Sequence, residues 1–223
     1  MTVNSTLSMT SSIDVVSVAY DSPDPALIEK AASLLRGGSL VVAATDTMYG
    51  LLARADDPVA VMRVCDTKQR SRDLPMAIFV GSVEVMPRFA RVTPAATVLA
   101  SRFLPGPVTL VLAAALTREP PIVVNGRIGL RVSSAPVIRM LLDRANFPLT
   151  ATSANLSGRG GGETVRDVSE ALGSRVSLLL DSGRLTSAPS TVVDCSIVPV
   201  RVLRAGVVSQ DEIASTLKDI RCE

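Results

Sequence analysis

Histidine is absent from this 223-residue chain. Its absence removes Ser-His-Asp and Cys-His nucleophiles, histidine general bases and the common His-containing metal sites. Tryptophan is absent too, and two Tyr and four Phe are too few for a stacking platform built from many aromatics. The three cysteines, Cys65, Cys195 and Cys222, are too scattered for a CxxC cluster. They read as reduced thiols in a cytosolic protein, with Cys65 and Cys195 as buried filler. Neither sign of charge is in excess. The 23 Lys and Arg against 21 Asp and Glu leave +2, too balanced for a dedicated nucleic-acid binder. The most apolar run, Val108 to Leu116, is about half the length of a membrane span. No Lys or Arg precedes Lys30, which fits neither a secretory signal nor a transit peptide. Residues 1–20 are expected to be a loose polar tail and 21–223 the domain.

What is present is an apolar fraction of 47%, ample for a core without disulfides or a structural metal. Asp24-Pro25 supplies an N-cap and a first-turn proline for a helix ending at Gly37-Gly38. Further helices are expected over Pro58–Thr67, Ser82–Ala90, Thr93–Leu104, Ala135–Ala145 and Thr164–Leu172. A capping box at Ser209–Glu212 opens a last one. Short apolar runs between them read as strands: Ser39–Ala44, Pro75–Val80, Val108–Leu116, Arg127–Val132, Pro148–Thr152, Val176–Leu180, Ser190–Cys195 and Val200–Leu203. A turn is expected at Glu119-Pro120-Pro121. The interleaving, without linker or repeat, predicts a single α/β domain on a large mixed sheet.

Polar loops beyond strand ends are where α/β sheets place function. Thr45-Asp46-Thr47-Met48-Tyr49-Gly50 follows the first predicted strand and serves equally as a helix N-cap or as site residues. Lys68-Gln69-Arg70-Ser71-Arg72 is a solvated charged face on spacing alone, or an anion clamp. Thr152-Ser153-Ala154-Asn155-Leu156-Ser157-Gly158 runs into the glycine-rich Arg159–Gly162. It suits close approach of a nucleotide, but is no Walker loop and could be a connector. Arg131 and Arg204 stand alone on apolar strands and need partners, either acidic side chains or a bound anion.

In this order the segments resemble the YrdC family of threonylcarbamoyl-AMP synthases. The matching segments are ATDTMYGL (Ala44–Leu51), Lys68-Gln69-Arg70 with Pro75-Met76, and Pro105-Gly106-Pro107-Val108-Thr109. They continue with Gly129-Leu130-Arg131, TSANLSG (Thr152–Gly158), Ser190-Thr191-Val192-Val193-Asp194 and Leu203-Arg204-Ala205-Gly206. The resemblance implies a twisted mixed sheet with flanking helices and a concave groove, in the family's short single-domain form. It implies that L-threonine, bicarbonate and ATP become threonylcarbamoyl-adenylate and pyrophosphate, for tRNA N6-threonylcarbamoyladenosine modification.

By that resemblance Lys68 and Arg70 hold the phosphates as the catalytic cations. Ser153, Asn155, Arg204 and backbone near Leu74 and Gly161 meet the nucleotide. Arg131 grips the threonine carboxylate, with Thr47, Ser190 and the backbone of Ala151 beside it. Magnesium on the phosphates is implied, with no protein cage for it, and tRNA or tRNA-modification proteins are possible partners. A carbamate oxygen needs no base to attack phosphorus, which accounts for the missing histidine. Five positions depart from the family pattern: Ala44 and Ala205 replace prolines, Phe79 stands where some members carry histidine, Arg127 where a small hydroxyl residue is common, and Ser71 where a proline often follows the Lys-x-Arg pair. Competing readings are an RNA-binding module and a diverged carbamoyltransferase.

Overall fold

Proline at the first helical position sets the start of four helices, and in three of them the preceding residue caps the turn. In the computed structural model, which describes residues 13–115, 121–160, 162–185 and 188–218, Asp24 accepts from Ala26 N (2.8 Å) and opens α1, Pro25–Arg36. Asp57 accepts from Val59 N (2.9 Å) and opens α2, Pro58–Lys68. Thr93 accepts from Ala96 N (3.2 Å) and opens α3, Pro94–Phe103. Such caps satisfy N–H groups that no helical carbonyl reaches. Ala135 precedes α4, Pro136–Ala145, without a side-chain cap. A reciprocal Thr164–Asp167 capping box opens α5, Val165–Leu172, and α6 is Gln210–Lys218.

The strands are β1 (Asp14–Ser17), β2 (Val41–Ala44), β3 (Tyr49–Leu52), β4 (Ala77–Phe79), β5 (Ala90–Arg91) and β6 (Val108–Ala114), then β7 (Arg127–Arg131), β8 (Leu149–Ser153), β9 (Leu178–Asp181), β10 (Thr191–Asp194) and β11 (Arg201–Arg204). They form one mixed sheet in the order β1-β9-β2-β3-β8-β4-β7-β6-β10-β11, with β5 on β6. The pairs β1–β9, β2–β9, β4–β7 and β6–β10 are parallel and the others antiparallel.

Alternation along each strand divides the apolar residues between two cores. Ile28, Leu35, Ile138 and Leu141 of α1 and α4 pack with Val41, Leu149 and Leu178 on one face. On the other, Val64, Leu99, Leu172 and Ile213 of α2, α3, α5 and α6 pack with Leu51, Ile78, Leu110 and Leu130. Residues of β4, β7 and β6 that point away from this second core line a cavity: Ala77 and Phe79, Gly129 and Arg131, Thr109 and Val111. That is the concave groove.

Several expectations change. Within 1–20, residues 14–17 are a sheet edge strand paired in parallel with Leu178–Asp181; four mostly exposed residues give no apolar signal. Thr45–Gly50 does not cap a helix. Ala44 pairs with Tyr49, so Thr45–Met48 is a hairpin loop and Tyr49-Gly50 already belongs to β3. Ser82–Ala90 contains a 3-10 helix, Val83–Arg88, ahead of strand β5, because Pro87 lacks a donor. Leu116, most of the Glu119–Pro121 turn, Gly161 and Cys222 lie outside the described residues.

Candidate active site

The Lys68–Arg70 spacing works through a helix terminus. Gln69 adopts the left-handed conformation (φ 50°), with Gln69 N bonded to Asp66 O and Arg70 N to Cys65 O. This Schellman arrangement ends α2 and turns the chain sharply, so that Lys68 and Arg70 both line the cavity while Arg72 stays outside, 3.5 Å from Asp66. The solvated-face reading therefore holds for Arg72 and fails for Lys68, which is 2% exposed. Its ammonium donates to Ser153 O, to Asn155 O (2.6 Å) and to Asn155 Oδ1 (3.3 Å). Burial, aided by Arg70, lowers its pKa to about 8. Arg70 donates to Pro75 O at 2.7 Å, its buried Nε has no hydrogen-bond partner among the described residues, and burial lowers its pKa.

The Ser-Ala-Asn turn is fixed by the neighbouring strand. Ala154 N donates to Tyr49 O at 2.7 Å, and Tyr49 N to Gly162 O at 2.9 Å. Ser153 Oγ donates to Asn155 Oδ1, and Asn155 Nδ2 to Arg159 O. The fully buried Tyr49 is anchored by its hydroxyl to Gly183 O (2.7 Å); burial raises its pKa to about 12.

At the other end of the cavity Arg131 is 5% exposed. Its Nη2 pairs with Asp46 Oδ1 at 2.8 Å, its Nε donates to Gly106 O (3.2 Å), and both terminal nitrogens lie 3.4 Å from Thr47 Oγ1. The Phe79 ring sits 5.5 Å from its guanidinium carbon. Ser133 donates to the same Asp46 oxygen at 2.5 Å. Arg204 holds Ser190 through its carbonyl (2.8 and 3.1 Å) and Oγ (3.0 Å), and Thr109 Oγ1 lies 3.2 Å from Ser190 Oγ. Desolvation, then the cations Arg131 and Arg70, lower the Arg204 pKa.

The fold thus gathers Thr47, Lys68, Arg70, Arg131, Ala151, Ser153, Asn155, Ser190 and Arg204 around one cavity of about 320 Å³. Leu74 is 45% exposed and outside its wall, with its N–H bonded to Ser71 O. Gly161 lies outside the described residues. The sequence reading gave no role to Asp46 or Ser133. Asp46 was visible only as an acid inside Thr-Asp-Thr, and its pairing with an arginine 85 positions later is a tertiary fact. No aspartate or glutamate among the described residues lines the cavity, whereas Lys68, Arg70, Arg127, Arg131 and Arg204 all do. Such a wall accepts polyanions and carboxylates.

The Sua5/YciO/YrdC family model, described as telomere recombination, matches residues 33–206. The chain belongs to this family. A threonylcarbamoyl-AMP synthase of Pyrococcus abyssi is 33% identical over 198 residues, 87% of this chain and 58% of that one. A Mycobacterium tuberculosis relative is 35% identical over 205 residues, 89% of this chain and 94% of its own. The structure of Pyrococcus abyssi Sua5 complexed with L-threonine superposes with a TM-score of 0.83 at 32% identity, covering 91% of this chain and 60% of that one. The chain therefore spans somewhat under two thirds of the archaeal relative. Among the described residues, no helix is long and apolar enough to cross a membrane.

Gly206 shows how tightly the family segment Leu203–Gly206 is packed. A Cβ there would lie 2.0 Å from Pro189 O and 2.6 Å from Ser190 C, so Gly206→Ala must displace the Ser190 backbone that Arg204 holds. The expected cost is about 1–3 kcal/mol, read as a melting temperature lower by roughly 5 °C.

Proposed function

We propose that this protein is a threonylcarbamoyl-AMP synthase. The observation that carries the reading is the convergence on one acid-free cavity of a buried Arg131–Thr47 end and a Lys68–Arg70–Ser153–Asn155 cluster. In this reading the threonine carboxylate docks on Arg131, with Thr47, Ser190 and the backbone of Ala151 fixing the amino acid. ATP lies along Lys68, Arg70, Ser153, Asn155 and Arg204. Bicarbonate-derived carbon dioxide forms a carbamate with the threonine amine. A carbamate oxygen bonds to the α-phosphorus as the α–β bridging oxygen leaves with pyrophosphate. An anionic oxygen needs no general base, so catalysis rests on positioning and on cations that stabilise charge at phosphorus.

Magnesium enters as part of the MgATP substrate. With no carboxylate on the wall among the described residues, phosphate oxygens and water are its ligands. The product then serves tRNA N6-threonylcarbamoyladenosine formation, with tRNA-modification proteins as downstream partners. Direct RNA binding is a weaker reading, because the cations point into the cavity and a phosphate backbone needs them outward. The carbamoyltransferase reading would show carbamoyl transfer without adenylate formation.

The test is pyrophosphate release by the purified chain. ATP, bicarbonate and L-threonine together should give pyrophosphate and an adenylate with the mass of threonylcarbamoyl-AMP, and omission of threonine or bicarbonate should return release to background. Turnover indifferent to threonine overturns the assignment.

A further inference from the structure

Arg127 occupies the opposite end of β7 from Arg131. The residues between them on the same face are reduced to Gly129, whose missing side chain leaves the floor open; a Cβ there would come within 3.0 Å of Ala77 Cβ. Four residue steps along the strand separate the two arginines by roughly 13 Å. Ala77 of β4 adjoins Gly129 and pairs with Ala151 of β8. Ser153, whose carbonyl Lys68 holds, and Pro75, whose carbonyl Arg70 holds, therefore lie two residues beyond that row, toward the Arg127 end.

Arg127 is more than a counterion. Its only acidic partner among the described residues is Asp194, at a single 3.3 Å contact from Nη1 to Oδ2, and its side chain is 47% exposed against 2% for Asp194. Asp194 already accepts from Ser196 N (2.9 Å) and Ser196 Oγ (2.6 Å) on its other oxygen. A guanidinium serving only to neutralise a buried carboxylate would be buried with it and bonded through two nitrogens. Here Nε and Nη2 have no hydrogen-bond partner among the described residues, and the side chain lines the cavity.

On the ATP reading above, we propose that Arg127 is a specificity-determining residue of the polyphosphate subsite, donating to the outer phosphates of the nucleoside triphosphate while Asp194 restrains it. Phosphates running from an amino acid held at Arg131 cross Gly129 and reach Arg127. Asp194, being negative and 3.3 Å from its Nη1, weakens the grip on an anion, so the two residues have opposite effects on ATP.

The experiment measures binding of ATP and of inorganic tripolyphosphate to the full chain, with Michaelis constants for ATP and threonine and melting temperatures. The variants are Arg127→Met, Arg127→Lys and Asp194→Asn. Arg127→Met should weaken both phosphate ligands about tenfold, a loss of one charge-assisted contact, and leave the threonine constant within about twofold. Arg127→Lys should fall between, keeping charge without the planar fork. Asp194→Asn should tighten ATP severalfold even if it melts lower. Unchanged ATP binding in Arg127→Met, weakening of ATP without weakening of tripolyphosphate, or weaker ATP binding in Asp194→Asn overturns the assignment of Arg127. If the unmutated chain binds neither ligand, the synthase reading itself fails.

Discussion

Arg131→Ala should raise the Michaelis constant for L-threonine about a hundredfold while that for ATP changes about threefold at most. A bidentate, charge-assisted contact to a carboxylate contributes about 1.5–3 kcal/mol, and a hundredfold corresponds to about 2.7 kcal/mol. The same substitution leaves the buried Asp46 with Ser133 but without its 2.8 Å ionic partner, which costs about 3–5 kcal/mol of stability. For a chain of this length that is a melting temperature lower by about 10 °C. The two effects separate in the double variant Arg131→Met, Asp46→Asn, which should recover most of the stability and none of the threonine affinity. A threonine constant that follows stability back would show that Arg131 is only structural.

Lys68→Met should lower kcat/KM for ATP by about a hundredfold to a thousandfold, or roughly 3–4 kcal/mol of transition-state stabilisation. It removes a cation and also the three contacts that hold the Ser153–Asn155 turn. Because burial brings the Lys68 pKa to about 8, kcat/KM for ATP, which reports the free enzyme, should fall about tenfold per pH unit above that value. Bound phosphates hold the proton on, so kcat should fall at higher pH than kcat/KM.

Stability has the opposite sign for this group. Between the folded pKa and the ordinary lysine value the unfolded chain carries the proton that the folded chain lacks, so its contribution to stability rises with pH. Cys195 and Tyr49 act the other way. Burial pushes each to about 12, so the folded chain keeps protons that the unfolded chain loses above their ordinary values, and stability falls from about pH 9 upward. Activity should therefore decline between pH 8 and 9 while the melting temperature holds or rises slightly. A melting temperature that falls in step with activity there would refute the lysine as the cause.

Local chemistry is what made much of this fold legible. Asp24-Pro25, Asp57-Pro58 and Thr93-Pro94 are signals whose meaning lies within four residues, and the apolar stripe of Val137, Ile138, Leu141 and Leu142 is buried as its spacing implies. β1 was missed because three of the four residues of this edge strand are exposed and leave no apolar run. β3 was missed because its four residues are all buried, and their Tyr-Gly opening looks like loop chemistry.

The sequence by itself determined the helix starts, the apolar strands, and which residue types carry the chemistry: fixed cations, small hydroxyls and no histidine. Only the tertiary structure decided which cations face inward. Lys68 and Arg72 are four residues apart in one polar stretch, yet a left-handed turn at Gln69 buries the first and leaves the second in water. It also decided that Arg131 answers to Asp46 and Arg127 to Asp194. Charge pairing depends on distance through space, and the sheet order that sets those distances is absent from any local window of residues.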